Sequence, residues 1–267
     1  MFNKCISTGT FPSCLKQTIL IPIFKSGDSE SENNYRPISL VCWLSKIFDR
    51  ILYNQLNKFI TENNIINSKQ FGFRSNHSTK HAIFYLFNTI QTNLTLKKFV
   101  IMILIDLRKA FDCLIHNIII NKLYGIGIKS TDLLLLYNFI TQRINFTVAN
   151  NCRSHYREQT HGVPQGTVLA PLLFTIFIND IFDVIDDDGA FFADDGTLVV
   201  IGDSAEEAKT KCNALLEKLK TYLLNNSLIL NVNKTFYISF NDIDLDLAYN
   251  NIPIQCVTHT QILGYHI

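Results

Sequence analysis

The sequence feature that most constrains the fold of this chain is a run of apolar residues that ends in an aspartate. Residues 99–105 read Phe-Val-Ile-Met-Ile-Leu-Ile, and Asp106 follows directly. A continuous apolar run of this kind predicts a strand that is buried on both faces at the centre of a sheet. An ionised carboxylate beside such a strand is costly unless it pairs with a positive charge or binds a cation. Asp106 is therefore the first candidate functional residue.

Two further carboxylates lie within a hairpin pattern. The apolar runs Ala190–Ala193 and Thr197–Ile201 flank the tripeptide 194–196, Asp-Asp-Gly. This arrangement predicts a β-hairpin with the aspartates at its tip. The immediate neighbours Ala193 and Gly196 offer no positive charge, so a divalent cation is the simplest partner, and Mg²⁺ prefers carboxylates together with phosphate oxygens. The alternative is that Asp-Asp-Gly is an ordinary turn.

The rest of the chain alternates helical and extended patterns. Helical periodicity predicts six helices, at about residues 45–60, 79–92, 114–124, 130–141, 168–182 and 204–224. Extended segments are predicted at 17–24, 143–150, 229–232 and 235–240, and a tight turn at 162–166. This mixture indicates an α+β fold, in which a small sheet carries helices on one face.

Composition excludes several classes of protein. The apolar share of 47% and the charged share of 18% indicate a globular chain. No apolar run approaches the roughly 18 residues that a membrane span needs. The N-terminus lacks a signal-peptide pattern, and the seven cysteines are odd in number and widely spread, which favours reduced thiols. We therefore expect an intracellular protein, in the nucleus or the cytoplasm, that is neither secreted nor bound to a membrane.

Charge is distributed unevenly along the sequence. Residues 1–160 contain 19 Lys and Arg against 9 Asp and Glu, a net charge of +10, whereas residues 161–267 contain 5 against 14, a net charge of −9. A basic first part favours a polyanionic partner such as nucleic acid. The alternative is a chance imbalance of solvated surface charge.

Seven short segments carry a family resemblance in their order and spacing. They are Asn34–Leu40, Gln70–Arg74, Asp106–Asp112, Gly162–Pro171, Phe191–Asp195, Leu230–Thr235 and Ile262–Gly264. They resemble the fingers and palm motifs of reverse transcriptases from non-LTR retrotransposons, which are LINE-like and of the jockey type. The resemblance covers nearly the whole chain and implies a right-hand polymerase fold that has fingers and palm but lacks a thumb.

The resemblance also implies how the chain is organised. Residues 1–267 would be a single truncated reverse transcriptase domain, with fingers at 1–97 and 114–160 and palm at 98–113 and 161–267. The chain begins inside the family's N-terminal extension and ends just after its primer-grip segment. We therefore expect a fragment of an element's open reading frame, or a degraded genomic copy of one. The oligomeric state stays open.

The resemblance assigns the metal site and the catalytic residues. It implies that Asp106, Asp194 and Asp195 bind two Mg²⁺ ions, for which Mn²⁺ can substitute. Two such ions activate a primer 3′-hydroxyl and stabilise the leaving pyrophosphate. Lys234 corresponds to the lysine that protonates pyrophosphate as a general acid. Taken alone, Lys234 is equally an exposed lysine beside a strand.

The resemblance further implies a binding site for the incoming nucleotide. Lys25 and Arg36 would hold the triphosphate. Phe111 falls at the position of the family's steric gate, where a bulky ring clashes with a ribose 2′-hydroxyl. Gln165 and Gly166 would line the nucleotide and the template base. From the residues alone, Lys25 equally fits a solvated surface, Phe111 fits a core aromatic better than a gate, and Pro164-Gln165-Gly166 is an ordinary turn.

Three residues are assigned to nucleic-acid contacts. The resemblance implies that Arg74 contacts template or phosphate, for which a surface salt bridge is the alternative, and that Gly264 and Tyr265 support the primer end. Asp112 belongs to a motif but not to the metal set, and we interpret it as structural. The chain departs from the family pattern at Thr167 and at other small residues without losing a predicted ligand.

These observations predict an RNA-directed DNA polymerase whose partners are an RNA template, a DNA primer and deoxynucleoside triphosphates. One alternative is a catalytically silent retroelement fragment that at most binds nucleic acid. Another is an RNA-templated RNA polymerase of the same palm architecture, against which Phe111 argues.

Overall fold

The computed structural model describes residues 1–149, 151–185, 188–241 and 243–266. The chain forms two compact units, each built from two separate stretches. The first unit contains Met1–Ile65 and Phe111–Phe177, and the second contains Ile66–Ala110 and Ile178–Ile267. The predicted assignment of residue ranges to fingers and palm stays a prediction.

The described residues form seven α-helices, which are α1 (Phe2–Thr8), α2 (Trp43–Glu62), α3 (Thr79–Thr95), α4 (His116–Gly125), α5 (Ser130–Ile140), α6 (Leu169–Ile178) and α7 (Ala205–Asn225). All six predicted helices are present, and only α1 was not predicted. The helix predicted at 168–182 ends at Ile178, because the chain tightens into a 3₁₀ turn at Asn179–Asp183.

The first nine strands are β1 (Gln17–Phe24), β2 (Tyr35–Val41), β3 (Phe99–Ile105), β4 (Arg143–Ala149), β5 (Cys152–Arg153), β6 (Arg157–Gln159), β7 (Asp188–Phe192), β8 (Asp195–Gly202) and β9 (Phe236–Ser239). Short strands follow at β10 (Ala248–Tyr249), β11 (Ile252–Pro253), β12 (Gln255–Cys256), β13 (Gln261–Ile262) and β14 (Tyr265–His266). The extended segments predicted at 17–24, 143–150 and 235–240 correspond to β1, β4 and β9, although residue 150 lies outside the described residues.

The first unit is built around a sheet in which β1 lies between β2 and β4. Strand β1 pairs with β2 in antiparallel and with β4 in parallel orientation, while β5 and β6 pair with β4. Aromatic rings fill the core beside it. Phe11 stacks on Phe48 at a centroid distance of 5.2 Å and meets the edge of Phe139 at 5.3 Å. Such contacts add to the stabilisation that comes from burying apolar area.

A buried carboxylate fixes the start of helix α6. Asp49 of α2 accepts hydrogen bonds from the backbone N–H of Val168 at 2.6 Å and of Leu169 at 3.0 Å. These donors belong to the first turn of a helix, which has no partners of its own for them. Burial raises the pKa of Asp49, and the two backbone donors and the charge of Arg143 oppose the rise. Arg143 is itself fully buried, and burial lowers its pKa to about 10.

We predict that Asp49→Ala lowers the free energy of unfolding by about 3 kcal/mol, because it orphans two N–H groups at the helix start and removes a negative charge that interacts with a buried arginine. Asp49→Asn should cost about half as much, since one amide oxygen can still accept. Urea denaturation followed by circular dichroism measures both. The exposed Asp132 of α5 provides the control, and equal stability of Asp49→Ala and Asp132→Ala would contradict the role of Asp49.

The second unit contains a five-stranded sheet in the order β12-β9-β3-β8-β7. The prediction that residues 99–105 form a central buried strand is confirmed. The expectation that helices cover one face is wrong, because both faces are covered. Val100 and Met102 pack with Ala82 and Leu86 of α3. On the opposite face a Cβ at Gly202 would lie 2.7 Å from the backbone N of Ala208 in α7. A strand that is apolar on both faces requires cover on both.

The prediction of a strand at 229–232 is also wrong. Leu230 makes a single bridge to Leu107, and the chain then tightens into a 3₁₀ turn at Val232–Lys234. The apolar pattern at 229–232 reflects packing of Leu230, which is 4% exposed, rather than a paired strand.

Candidate active site

Strand pairing brings two of the predicted metal ligands side by side. Strands β3 and β8 are antiparallel, and Ile105 pairs with Gly196. Asp106 follows Ile105 and Asp195 precedes Gly196, so the two aspartates occupy neighbouring positions at one end of the sheet. The predicted hairpin is confirmed, but its turn has two residues, 193–194, and not the predicted three, 194–196. Phe192 pairs with Asp195, so the loop is residues 193–194, while Asp195 belongs to β8.

The backbone of this turn is strained, and hydrogen bonds from a buried side chain hold it in place. Ala193 has φ of 61°, a left-handed value that is unfavourable for a residue with a side chain. The fully buried Gln70 accepts hydrogen bonds from the N–H of Ala193 at 3.2 Å and of Gly72 at 2.9 Å, and its own amide donates to Ala193 O at 3.5 Å. Phe71 N–H donates to Phe191 O at 2.7 Å. The segment that begins at Gln70 therefore braces the strand and turn that carry the aspartates.

Sequence reasoning missed this role of Gln70. The segment Gln70–Arg74 was predicted to contribute Arg74 to template or phosphate binding. In the structure, Arg74 Nη1 donates to Asn67 O at 2.8 Å and to Gln70 O at 3.0 Å, and burial lowers its pKa. Arg74 thus holds its own loop together, and its contact with nucleic acid stays a prediction.

The carboxylates are coupled electrostatically. Asp195 retains exposed surface, but protein atoms surround its carboxyl closely enough to limit hydration. This desolvation, followed by the negative charges of Asp194 and Asp106, raises the pKa of Asp195 to about 6. The positive charge of Lys234 opposes the rise. Lys234 thus supplies the positive charge that the immediate sequence neighbours of Asp195 lack, and it comes from a distant part of the chain.

Asp106 is held in place by Asn231. The backbone N–H of Asn231 donates to Asp106 O at 2.8 Å, and its side-chain amide donates to Asp106 Oδ2 at 2.7 Å. Asn231 also begins the 3₁₀ turn that ends at Lys234. One short segment therefore orients a carboxylate and delivers an exposed ammonium group beside it. Asn231 lies in a segment that carried the family resemblance, but nothing in the sequence separated it from its neighbours.

Asp106, Asp195 and Lys234 line one cleft, which has a volume of about 220 Å³. Charged or polar side chains and apolar ones line it together; they are Leu104, Ile105, Asp106, Ala190, Asp195, Gly196, Thr197, Lys234, Phe236, Thr260, Gln261, Ile262 and Leu263. The structure therefore brings together Asp106, Asp195 and Lys234, and their catalytic role stays a prediction.

The donor set suits a hard divalent cation, which prefers carboxylate oxygens. Desolvation and mutual repulsion raise the pKa of Asp195, and a bound cation would relieve the repulsion. Within the described ranges, however, no three acidic, histidine or cysteine side chains converge closely enough to hold a metal ion as they stand. A metal ion would therefore have to draw the carboxylates closer together.

The predicted primer-support residues lie on a small hairpin at the cleft. Strand β13, with Gln261 and the buried Ile262, lines the cleft and pairs with β14, which begins at Tyr265. The turn between them consists of Leu263 and Gly264, both left-handed, as in type I′ hairpins. Tyr265 is 38% exposed.

The predicted triphosphate-binding residues lie on one hairpin of the first unit. Ile23 pairs with Arg36, and the backbone N–H of Lys25 donates to Asn34 O at 2.9 Å. Because side chains alternate along strands, this register puts Lys25 and Arg36 on the same face, and both are exposed.

The remaining nucleotide-binding candidates also belong to the first unit. Ser39 N–H donates to Gln165 O at 2.7 Å. Gly166 has φ of 109°, and a Cβ there would lie 2.9 Å from Ser39 O, so glycine is required. Phe111 is half-buried and packs on Phe174 at a centroid distance of 4.7 Å. The ring of Phe111 therefore has a core contact and an exposed part.

Comparison with known proteins identifies the class. Residues 23–267 match the family model described as Reverse transcriptase (RNA-dependent DNA polymerase). The fold is similar to that of a solved apo telomerase from Candida tropicalis truncated from its C-terminal domain, with a TM-score of 0.63 at 14% identity over 93% of this chain and 55% of that one. The chain belongs to the reverse transcriptase family and has its α+β right-hand polymerase fold, as expected. Members of this family generally use divalent metals.

The relatives narrow the class to non-LTR retrotransposons. The chain is 33% identical over 190 residues to a Drosophila melanogaster protein described as "Probable RNA-directed DNA polymerase from transposon BS". It is 26% identical over 249 residues to the RNA-directed DNA polymerase from mobile element jockey of the same species. These alignments cover 68% and 90% of this chain, but only 20% and 27% of the two relatives.

The raised pKa of Asp195 predicts a pH-dependent stability in the absence of metal. The folded state retains a proton that the unfolded chain loses near pH 4, so the free energy of unfolding should fall as the pH rises from about 4 to about 6. Urea denaturation in EDTA measures this slope. Asp195→Asn should remove its share of the slope, and Mg²⁺ should stabilise the wild type more at pH 7 than at pH 5. Identical pH profiles for both proteins would contradict the coupling.

Proposed function

We propose that this chain is the polymerising part of an RNA-directed DNA polymerase, which transfers deoxynucleotides to a primer 3′-hydroxyl on an RNA template. The observation that carries the proposal is the coupled group Asp106, Asp194 and Asp195 at one end of a buried sheet, with Lys234 beside it. Phosphoryl transfer needs positioning and charge neutralisation more than covalent chemistry, and a braced carboxylate group is suited to both.

The three aspartates would hold two Mg²⁺ ions, or Mn²⁺ in their place. When bound, such ions supply Lewis acidity for attack and departure of the phosphoryl oxygens. Asn231 keeps Asp106 oriented, and Gln70 keeps the strained turn at Ala193 in place. Lys234 has an exposed ammonium group on the same cleft and would give a proton to the departing pyrophosphate.

Nucleotide binding would use the candidates of the first unit. Lys25 and Arg36 share one exposed face of a hairpin and would hold the triphosphate, Arg36 in a fork and Lys25 as a point charge. Phe111 would exclude ribonucleotides, and Gln165 with Gly166 would line the base and sugar. In the second unit, Arg74 would contact the template strand, and Gly264 and Tyr265 the primer end.

The alternative is a retroelement fragment that folds and binds nucleic acid but incorporates nothing. It differs from the enzyme in its response to Mg²⁺, because binding through basic side chains does not need the metal.

Among the described residues, no helix is long and apolar enough to cross a membrane. We propose an intracellular location, in the nucleus or the cytoplasm, where the RNA template and the nucleotides occur.

Primer extension tests the proposed function. With poly(rA)/oligo(dT), dTTP and Mg²⁺, the wild type should extend the primer, and the double variant Asp194→Asn, Asp195→Asn should lose at least about 10³-fold in rate, since preorganised charge supplies several kcal/mol of the acceleration. Asp203→Asn, an exposed aspartate paired with Lys98, is the matched control. A folded wild type that binds the template but extends nothing would favour the silent fragment.

The gate role of Phe111 gives a separate prediction. Phe111→Val should increase incorporation of rUTP relative to dUTP by about tenfold or more, because a steric clash of roughly 1.4 kcal/mol is removed. Single-nucleotide incorporation with each substrate measures the ratio. Phe174→Leu disturbs the core beneath the ring and serves as the control for packing. An unchanged ratio in Phe111→Val would assign Phe111 to the core alone.

A further inference from the structure

A charged side chain outside the predicted site contacts one of its members. Gln165 Nε2 donates to Asp112 Oδ1 at 2.6 Å, although 53 residues separate the two. Both side chains are half-buried. Hydrogen bonds to ionised groups are short and about twice as strong as neutral ones. The interpretation of Asp112 as merely structural does not account for its direct contact with a predicted nucleotide-binding side chain.

The backbones of the two segments are also tied together. Gly162 N–H donates to Leu114 O at 2.7 Å, and Val163 N–H donates to Phe111 O at 3.1 Å. Gly162 has φ of 78°, and a Cβ there would lie 2.8 Å from Asp112 O, so only glycine allows this approach. The segment that carries Phe111 and the loop that carries Gln165 therefore form one body.

The same loop is anchored on its other side. Ser39 N–H holds Gln165 O, and Asp49 holds the N–H groups of Val168 and Leu169. With the backbone fixed at both ends, the torsions of the Gln165 side chain decide which groups it presents. An ionised carboxylate can only accept, so Asp112 selects the NH₂ end of the amide. The carbonyl oxygen and the second N–H of Gln165 then have defined directions.

We propose that Asp112 is a positioning residue that locks the Gln165 amide in one orientation and thereby sets the affinity for the incoming nucleoside triphosphate. The inference rests on the proposed function, in which Gln165 lines the nucleotide. It adds a specific cause: the amide is preorganised by a carboxylate that itself contacts no substrate. Preorganisation raises affinity because less side-chain freedom is lost when the nucleotide binds.

Exchanging the hydrogen-bond donor and acceptor between positions 112 and 165 tests whether Asp112 orients the Gln165 amide. Asp112→Ala should raise the KM for dTTP about tenfold, which corresponds to one charge-assisted hydrogen bond, with a smaller change in kcat. Asp112→Asn should raise it about threefold, since its amide oxygen still accepts. Gln165→Glu places two carboxylates face to face and should be worse than either. The double variant Asp112→Asn, Gln165→Glu restores one donor and one acceptor, and its KM should recover to within about threefold of the Asp112→Asn value.

Stability separates positioning from a purely structural role. The backbone ties hold the loop without Asp112, so the urea midpoints of Asp112→Ala, Asp112→Asn and the double variant should stay close to that of Asp132→Ala, the exposed control. KM values that equal the wild type in all variants would overturn the inference, as would a double variant no better than Gln165→Glu. A KM rise that tracks loss of stability would also overturn it.

Failure of the proposed function gives a different result. If the folded wild type incorporates no nucleotide, the polymerase proposal fails, and the Kd for Mg-dTTP is then measured on the same proteins by equilibrium dialysis. The lock predicts the same order of affinities: wild type tightest, then Asp112→Asn and the double variant, then Asp112→Ala, then Gln165→Glu. Equal Kd values across the series, or no measurable binding, would overturn the inference.

Discussion

Burial of strand β3 on both faces is the constraint on which the candidate site depends. Side chains alternate along a strand, so a slip of one residue would exchange the side chains that fit against α3 with those that fit against the opposite face, and both faces are closely packed. Cover by α3 on one side and α7 on the other therefore fixes the register against β8. That register places Asp106 beside Asp195. The core thus determines the carboxylate geometry before any ligand binds.

The same geometry places negative charges close together, which costs electrostatic free energy in the folded state. Three carboxylates at one sheet end repel, and this repulsion adds to desolvation in raising the pKa of Asp195. Neutral groups keep the arrangement from relaxing: Asn231 holds Asp106, and the buried Gln70 holds the backbone next to Asp194. Lys234 offsets part of the charge without closing the cleft. A site built in this way favours a cation, because a bound positive charge would relieve the remaining repulsion.

Local pattern predicted the elements, and long-range contacts decided the details. The apolar run at β3, the six helices and the hairpin were all readable from periodicity, because burial of one or two faces dictates it. The position of the turn was not readable from periodicity. Gln70 stabilises a left-handed Ala193, so the chain turns before the Asp-Gly step at which a turn was expected. Gln70, Asn231 and Asp49 act on partners 123, 125 and 119 residues away, and no local pattern marks such contacts. The aspartates themselves were found through the family resemblance and their apolar neighbours.

Folding also redistributes the charge that the sequence separates. Residues 66–110 carry 7 basic and 1 acidic side chain, and they join residues 178–267, which carry 5 and 14, in the second unit. Its net charge is therefore −3, and that of the first unit, with 12 basic and 8 acidic residues, is +4. Ion pairs between Lys69 and Asp188 and between Lys98 and Asp203 join the basic and acidic segments. The negative charge of the acidic part of the sequence is thus largely cancelled within one unit. The negative charge of the cleft then acts at short range, where it favours a cation without repelling a distant polyanion.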